Sequence, residues 1–275
     1  MNVKALNVRA LNVRALNVRA WLTTITSRSY SMPIVILYVT EGCNLRCCMC
    51  SYRDPVPDEM SIEEMRSLAD RLAARGLRHV VYSGGEPLLR RDFPAICEAF
   101  ERHHVKQSLL TNGVLLERRL PEIGRYVAEI IVSLDGPDAA THDRIRGKSF
   151  EQIVRGIQAA LKAAPAGQSI SLRTVLQKQN FREIARMVDI ARSLGVRRIS
   201  FLAVDALSGA FGRNSGASGP WKENDLLDAS EAEEFRRLVA TLISTHRDEF
   251  ETGFISESPS KMFHIVEYFE AVVGK

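Results

Sequence analysis

Cys43, Cys47 and Cys50 stand in a C-x-x-x-C-x-x-C spacing, directly after an apolar run, Ile34 to Val39, that reads as a buried strand. Three thiolates on one short loop can hold a metal centre. A four-iron four-sulfur cluster is normally held by four cysteines, so three leave one iron open to another ligand, which points to chemistry rather than storage. Two plainer readings compete. A structural zinc knuckle wants four closed ligands, but Cys48 adjoins Cys47 and points elsewhere, and the six histidines lie outside the loop. An iron–sulfur electron carrier usually binds every iron with protein and has no need of a ligand-binding ledge.

Other clusters bear on the same question. Gly84-Gly85-Glu86-Pro87 is either a turn that starts a helix at Pro87 or a ledge of bare backbone against which a ligand lies. Thr111-Asn112-Gly113 and Asp135-Gly136-Pro137 are common turn sequences, and the aspartate reads first as part of a turn. Arg146 is either a surface arginine or a guanidinium that forks to a carboxylate. Cys97 falls in a predicted helix and reads as a small core residue.

What must position these groups is an alternation of strands and helices. Candidate strands are Ile34–Val39, His79–Ser83, Gln107–Thr111, Glu129–Ser133, Ile170–Val175 and Arg198–Leu202, separated by helical stretches near 61–75, 93–103, 115–126, 150–163 and 181–194, with another near 230–246. Ser61 with Glu64, Ser149 with Gln152 and Ser230 with Glu233 carry capping-box start signals. Ile62, Met65, Leu68 and Leu72 share one face of the first helix. The alternation predicts an α/β fold with a parallel sheet and helices outside. Every chemical cluster follows a candidate strand, so all should converge on the C-terminal edge of the sheet, where such folds bind ligands.

Length and composition set the frame. The chain has 275 residues, 45% of them hydrophobic, enough for one large α/β barrel-type domain or two smaller domains, with a sizeable core. The net charge of +4 comes from Lys4, Arg9, Arg14, Arg19 and Arg28 in an acid-free N-terminus. The remainder is nearly balanced and offers no nucleic-acid surface. Four of the five cysteines crowd into one loop, unlike the dispersed framework of a secreted disulfide protein, so a reducing cytoplasmic location is expected. No apolar run reaches the length of a membrane span.

Residues 2–21 repeat a five-residue unit, Asn-Val-Lys/Arg-Ala-Leu, whose period matches neither helix nor strand. Together with the Ser/Thr-rich stretch after it, this segment has some features of an organelle transit peptide. The reading adopted is that residues 1–31 form a disordered or loosely helical tail and that the domain begins near Met32.

In combination, the loop Cys43–Cys50, Ser83-Gly84-Gly85-Glu86-Pro87, Thr111-Asn112-Gly113 and Ser133-Leu134-Asp135-Gly136-Pro137 resembles the radical S-adenosylmethionine superfamily over about residues 34–202. It is most similar to the branch that modifies peptides and tetrapyrroles. The resemblance implies a partial six-unit (βα) TIM-like barrel, open on one side, over residues 32–250. It implies one four-iron four-sulfur cluster held by Cys43, Cys47 and Cys50, with S-adenosylmethionine on the free iron. Gly84, Gly85 and Glu86 would line the methionyl amino site, Met49 would lie near the adenine, Ser133 and Arg146 would reach the ribose or carboxylate, and Asn112 would support that wall. The implied activity is reductive cleavage of S-adenosylmethionine to a 5′-deoxyadenosyl radical that abstracts hydrogen from a peptide or other medium-sized substrate. A flavodoxin or ferredoxin would supply the electron.

The sequence departs from that branch in one respect. It has no cysteine after Cys97, so the cysteine-rich second domain and its auxiliary clusters are not expected here. Residues 251–275 resemble the bridge that leads into such a domain. A shortened homologue that binds cofactor without turnover is therefore a rival reading. A Gly/Ser-rich insertion at 203–229, with Phe211 and Trp221, reads as either a lid or a plain surface loop.

Overall fold

The computed structural model describes residues 32–205 and 225–274. The repetitive N-terminal segment and most of the 203–229 insertion, with Phe211 and Trp221, lie outside the described residues.

Six strands form one sheet in sequence order: β1 (Ile34–Tyr38), β2 (His79–Ser83), β3 (Lys106–Thr111), β4 (Glu129–Ser133), β5 (Ser169–Leu176) and β6 (Ile199–Ala203). Every neighbouring pair is parallel. Parallel neighbours need a crossover, and the helices α1 (Ile62–Ala74), α2 (Phe93–Glu101), α3 (Leu116–Ile123), α4 (Ala139–Arg146), α5 (Phe150–Ala163) and α6 (Ile184–Leu194) provide it. The result is a partial TIM barrel that does not close, since β1 and β6 are its two edges. Further along the described chain come α7 (Ala229–Thr245), α8 (Arg247–Glu251) and α9 (Pro259–Val272).

Strand residues alternate between two faces. On the outer face Val80, Tyr82, Leu109, Ile130, Val132, Leu172 and Phe201 are buried under the helices. Tyr82 packs edge-on against Phe93 and Phe100 of α2, with ring centroids 5.1 and 5.9 Å apart. Phe235 of α7 joins Phe181 to Phe269 of α9 by two further T-shaped contacts, so Pro259–Val272 shares the core of the barrel helices. The inner face is less covered. Ile34, Ile36 and Tyr38 on β1 remain 61%, 58% and 51% exposed, which leaves one edge of the open barrel apolar and bare. The β6 edge is masked instead: Ile199 N–H donates to Phe254, Ser256 N–H donates to Ile199, and Phe201 N–H donates to the Glu257 carboxylate.

Helix starts differ from expectation at two of three positions. Ser61 and Glu64 form the expected reciprocal box. Ser149 makes no side-chain cap bond; Asp143 accepts from Ser149 N–H and Phe150 N–H and does that work from the preceding helix. The third box is Asp228 with Glu231, two residues before the Ser230 pairing, because an aspartate there already satisfies the first free N–H groups. The helix Ala139–Arg146 has no counterpart in the sequence reading. Its polar composition gives no apolar stripe, and it is started by Asp138, whose carboxylate accepts from Thr141 N–H. Among the described residues no helix is long and apolar enough to cross a membrane.

Candidate metal and cofactor site

Residues 39–50 leave β1 at the C-terminal rim and fold back across the ends of β2 to β4. Gly84 and Gly85 make this possible. Gly84 has φ +127°, and a Cβ there would come within 2.2 Å of the Thr40 carbonyl oxygen; one on Gly85 would meet the Gly42 carbonyl oxygen at 2.2 Å. Only glycine admits backbone this close. Gly85 N–H donates to Thr40 and Glu86 N–H to Gly42, so this stretch of backbone docks the cysteine loop. Among the described residues no group donates to the Gly84 or Gly85 carbonyl, and these half-buried acceptors remain for another partner. Arg90, not singled out from sequence, ties the same loop down by donating to the Val39 and Met60 carbonyls.

Glu86 is completely buried and both of its oxygens are used. One accepts from Leu88 N–H at 3.0 Å and Thr111 Oγ1 at 2.8 Å, the other from Asn112 N–H at 2.7 Å. It joins the exit of β2 to the exit of β3. Burial pushes its carboxyl up to about 7, against the pull of those three donors. Asn112 in turn reaches the loop: its Nδ2 donates to Asn44 at 2.8 Å and lies 3.8 Å from Cys43 Sγ.

The loop has a second clasp on the β4 side. Cys48 N–H donates to the Ile145 carbonyl, and Arg146 Nη1 lies 3.8 Å from Cys47 Sγ. Arg146 is buried, and its Nε donates to Asp135 Oδ2 at 2.5 Å. Burial works against its charge, yet the Asp135 carboxylate and the Cys47 sulfur outweigh burial and hold the guanidinium proton above its usual range. Asp135 is fully buried; its other oxygen accepts from Val175 N–H at 2.8 Å, and its carbonyl accepts from Asn180 Nδ2. It is thus the keystone of the β4 exit rather than a turn residue at the surface. Its detectable signal was a carboxylate directly after a buried strand.

The remaining sites sit as follows. Met49 is buried as part of the hydrophobic core. Ser133 is half-buried at the end of β4 on the inner face and pairs in register with Arg173. Cys48 faces away from the other three thiols, 3.4 Å from an Asp225 oxygen, and burial together with that carboxylate pushes its thiol up to about 12. Cys97 is fully buried beneath the sheet.

The donor set fits a polynuclear cluster. Burial raises the Cys47 thiol, Arg146 lowers it, and the charges of Cys50 and Cys43 raise it further, so the three sulfurs share one environment. Burial, offset in part by Leu45 N–H, raises Cys43 too. Neutral in the bare protein, such thiols become ligands when a cation replaces their protons. Among the described residues no three His, Cys, Asp or Glu groups converge on a point for a single metal ion.

Comparison with known proteins gives consistent results. The model of the Radical SAM superfamily matches residues 37–191. Fe-coproporphyrin III synthase of Methanosarcina barkeri is 30% identical over 82% of the chain and 54% of that protein. Mycofactocin maturase MftC of Mycobacterium tuberculosis is 32% identical over 61% of the chain and 44% of its own length. The chain thus spans about half the length of the curated relatives it matches. Among solved structures, SuiB of Streptococcus suis bound to the precursor peptide SuiA superposes with a TM-score of 0.64 at 15% identity, over 85% of this chain and 51% of that one. At that identity the likeness is one of fold.

Proposed function

Because this chain belongs to the Radical SAM superfamily, we propose that it is an enzyme that cleaves S-adenosylmethionine reductively and abstracts hydrogen from a peptide or other medium-sized substrate. The observation that carries the reading is the doubly clasped loop of three thiols at the strand ends, beside two glycine carbonyls to which no group among the described residues donates.

In this reading Cys43, Cys47 and Cys50 hold a four-iron four-sulfur cluster, and the cluster supplies one electron to the sulfonium of the bound S-adenosylmethionine. The chain's own residues bind and orient. The Gly84 and Gly85 carbonyls accept from the methionyl ammonium, while Glu86, its oxygens already engaged, fixes the height of that ledge and leaves ligand contact to its neighbours. Arg146, anchored by Asp135, presents positive charge next to Cys47, where the methionyl carboxylate would approach. Ser133 donates to the ribose or carboxylate from the inner face, Asn112 steadies the loop, and Met49 supports the adenine from beneath. The protein's contribution is position and the exclusion of stray hydrogen donors. A small reductant such as flavodoxin or ferredoxin supplies the electron in a reducing cytoplasm.

The substrate follows more coarsely. The relatives carry names from coproporphyrin and heme synthesis, from mycofactocin maturation and from GTP 3',8-cyclisation, so the names span several substrate classes, and the peptide or other medium-sized substrate is this reading's own choice among them. Residues 251–275 are read as the bridge toward a further domain.

The test is anaerobic reconstitution with iron and sulfide, dithionite reduction, and assay of 5′-deoxyadenosine from added S-adenosylmethionine, with Cys47→Ala as control. Deoxyadenosine that depends on Cys47 supports the proposal. Its absence with about four irons bound per chain would sink it in favour of a carrier or a homologue without turnover.

A further inference from the structure

The inner face of the open barrel carries a cation that the cluster site does not use. Arg173 lies on β5, with Ile170, Leu172 and Thr174 of the same strand turned outward under the helices. It is flanked in register by Ser133 on β4 and Ser200 on β6, so a Ser-Arg-Ser row crosses three strands of the inner face. Its Nε donates to Ser200 Oγ at 3.3 Å, and among the described residues its two terminal nitrogens donate to nothing. Burial lowers its proton affinity, and Glu257 and Glu129 only partly restore it. Neither carboxylate forms a salt bridge with Arg173. Glu129 is committed to Arg198 and Ser171, and Glu257 accepts from Phe201 N–H.

An incompletely paired guanidinium on a half-buried surface is costly to keep unless something comes to it. Its position says what. Val175, two residues further along β5, gives its N–H to Asp135, the anchor of Arg146. Arg173 therefore sits about 6.6 Å deeper along the strand than the Asp135–Arg146 pair. That depth is one side-chain layer below the rim, facing the space a substrate must enter.

We propose that Arg173 receives a carboxylate of the substrate, seating it on its two terminal N–H donors. This deepens the function proposed above and rests on it: the substrate is an acid, held by its carboxylate inside the barrel while its reacting carbon lies at the rim. The nearby Glu129 and Glu257 favour a singly charged carboxylate over a phosphate dianion, which they would repel more strongly.

The test is arginine footprinting of the reconstituted chain with phenylglyoxal, read residue by residue by mass spectrometry, with the exposed Arg155 as internal reference. Propionate at high millimolar concentration is expected to slow modification of Arg173 about threefold or more relative to Arg155, while the neutral isostere propionamide has no effect. Equal protection by propionamide, or none by propionate, would overturn the proposal. So would inorganic phosphate protecting better than propionate, or an Arg173 that never reacts, since a guanidinium closed to solvent cannot meet a substrate. S-adenosylmethionine alone giving the full protection would pass the site to the cofactor and end the substrate assignment. Labelling needs no turnover, so it separates the failure of this site from a failure to form deoxyadenosine.

Discussion

Residues 43–50 and the strand exits at Glu86 and Asp135 meet on one rim, yet they are held by different means. The two carboxylates are fully buried, and each of their four oxygens accepts at least one short bond from the protein itself. The sulfurs have far less: Cys43 has a backbone N–H at 3.5 Å and an amide at 3.8 Å, and Cys47 has one guanidinium at 3.8 Å. The scaffold is complete without a ligand, whereas the loop draws its definition from two clasps and from what its thiols bind. Separating the two tasks leaves the thiols available to the proposed cofactor without making the scaffold depend on it.

The hardest test of this contrast is Asp135→Ala. It removes the acceptor of both Arg146 and Val175 N–H and leaves a buried cation unpaired, so a loss of about 3–5 kcal/mol in urea unfolding is expected. Cys47→Ala in the metal-free protein should cost clearly less, and the reverse order would break the comparison.

Glu86→Gln gives a smaller effect with a pH signature. The folded-state value of about 7 lies above the ordinary 4.5, so between those values the folded protein holds a proton the unfolded chain has released. The stability contributed by this group is fully present below about pH 4.5. It falls as pH rises toward 7, by on the order of 3 kcal/mol, and is level above that. Unfolding midpoints at several pH values should show wild type losing ground to Glu86→Gln across this window; parallel curves would contradict it.

Cys48→Ala should do least. Its thiol faces Gln177 and Asp225 rather than the other three, so iron and sulfide content after reconstitution should match wild type. A lost iron would redraw the boundary between loop and scaffold.

These differences also explain what could be read from the residues in order. The thiol spacing was legible because ligands on one loop are local in sequence. The six strands were legible from their apolar runs, and their ends shifted by a residue at most. Asp135 was legible only as a turn, because its partners Arg146, Val175 and Asn180 are 11 to 45 residues away. Glu86 was placed in the site, but no spacing could tell that its oxygens are spent on Thr111 and Asn112. The helix Ala139–Arg146 escaped because it is specified by its cap and its packing rather than by an apolar stripe. Arg173 drew no attention at all, since one arginine in a strand acquires meaning only once the register sets Ser133 and Ser200 beside it.

The order in which the clasps occur along the chain has a consequence during synthesis. Cys43 waits for Asn112, 69 residues later, and Cys47 for Arg146, 99 residues later. At ribosomal rates of about 5–20 residues per second, the second interval lasts roughly 5–20 s. For that time the nascent thiols are tethered to a growing polypeptide with their clasps unmade, open to oxidants and to stray metal. If these thiols hold iron as proposed, loading into a site clasped on both sides would follow translation of the first 146 residues.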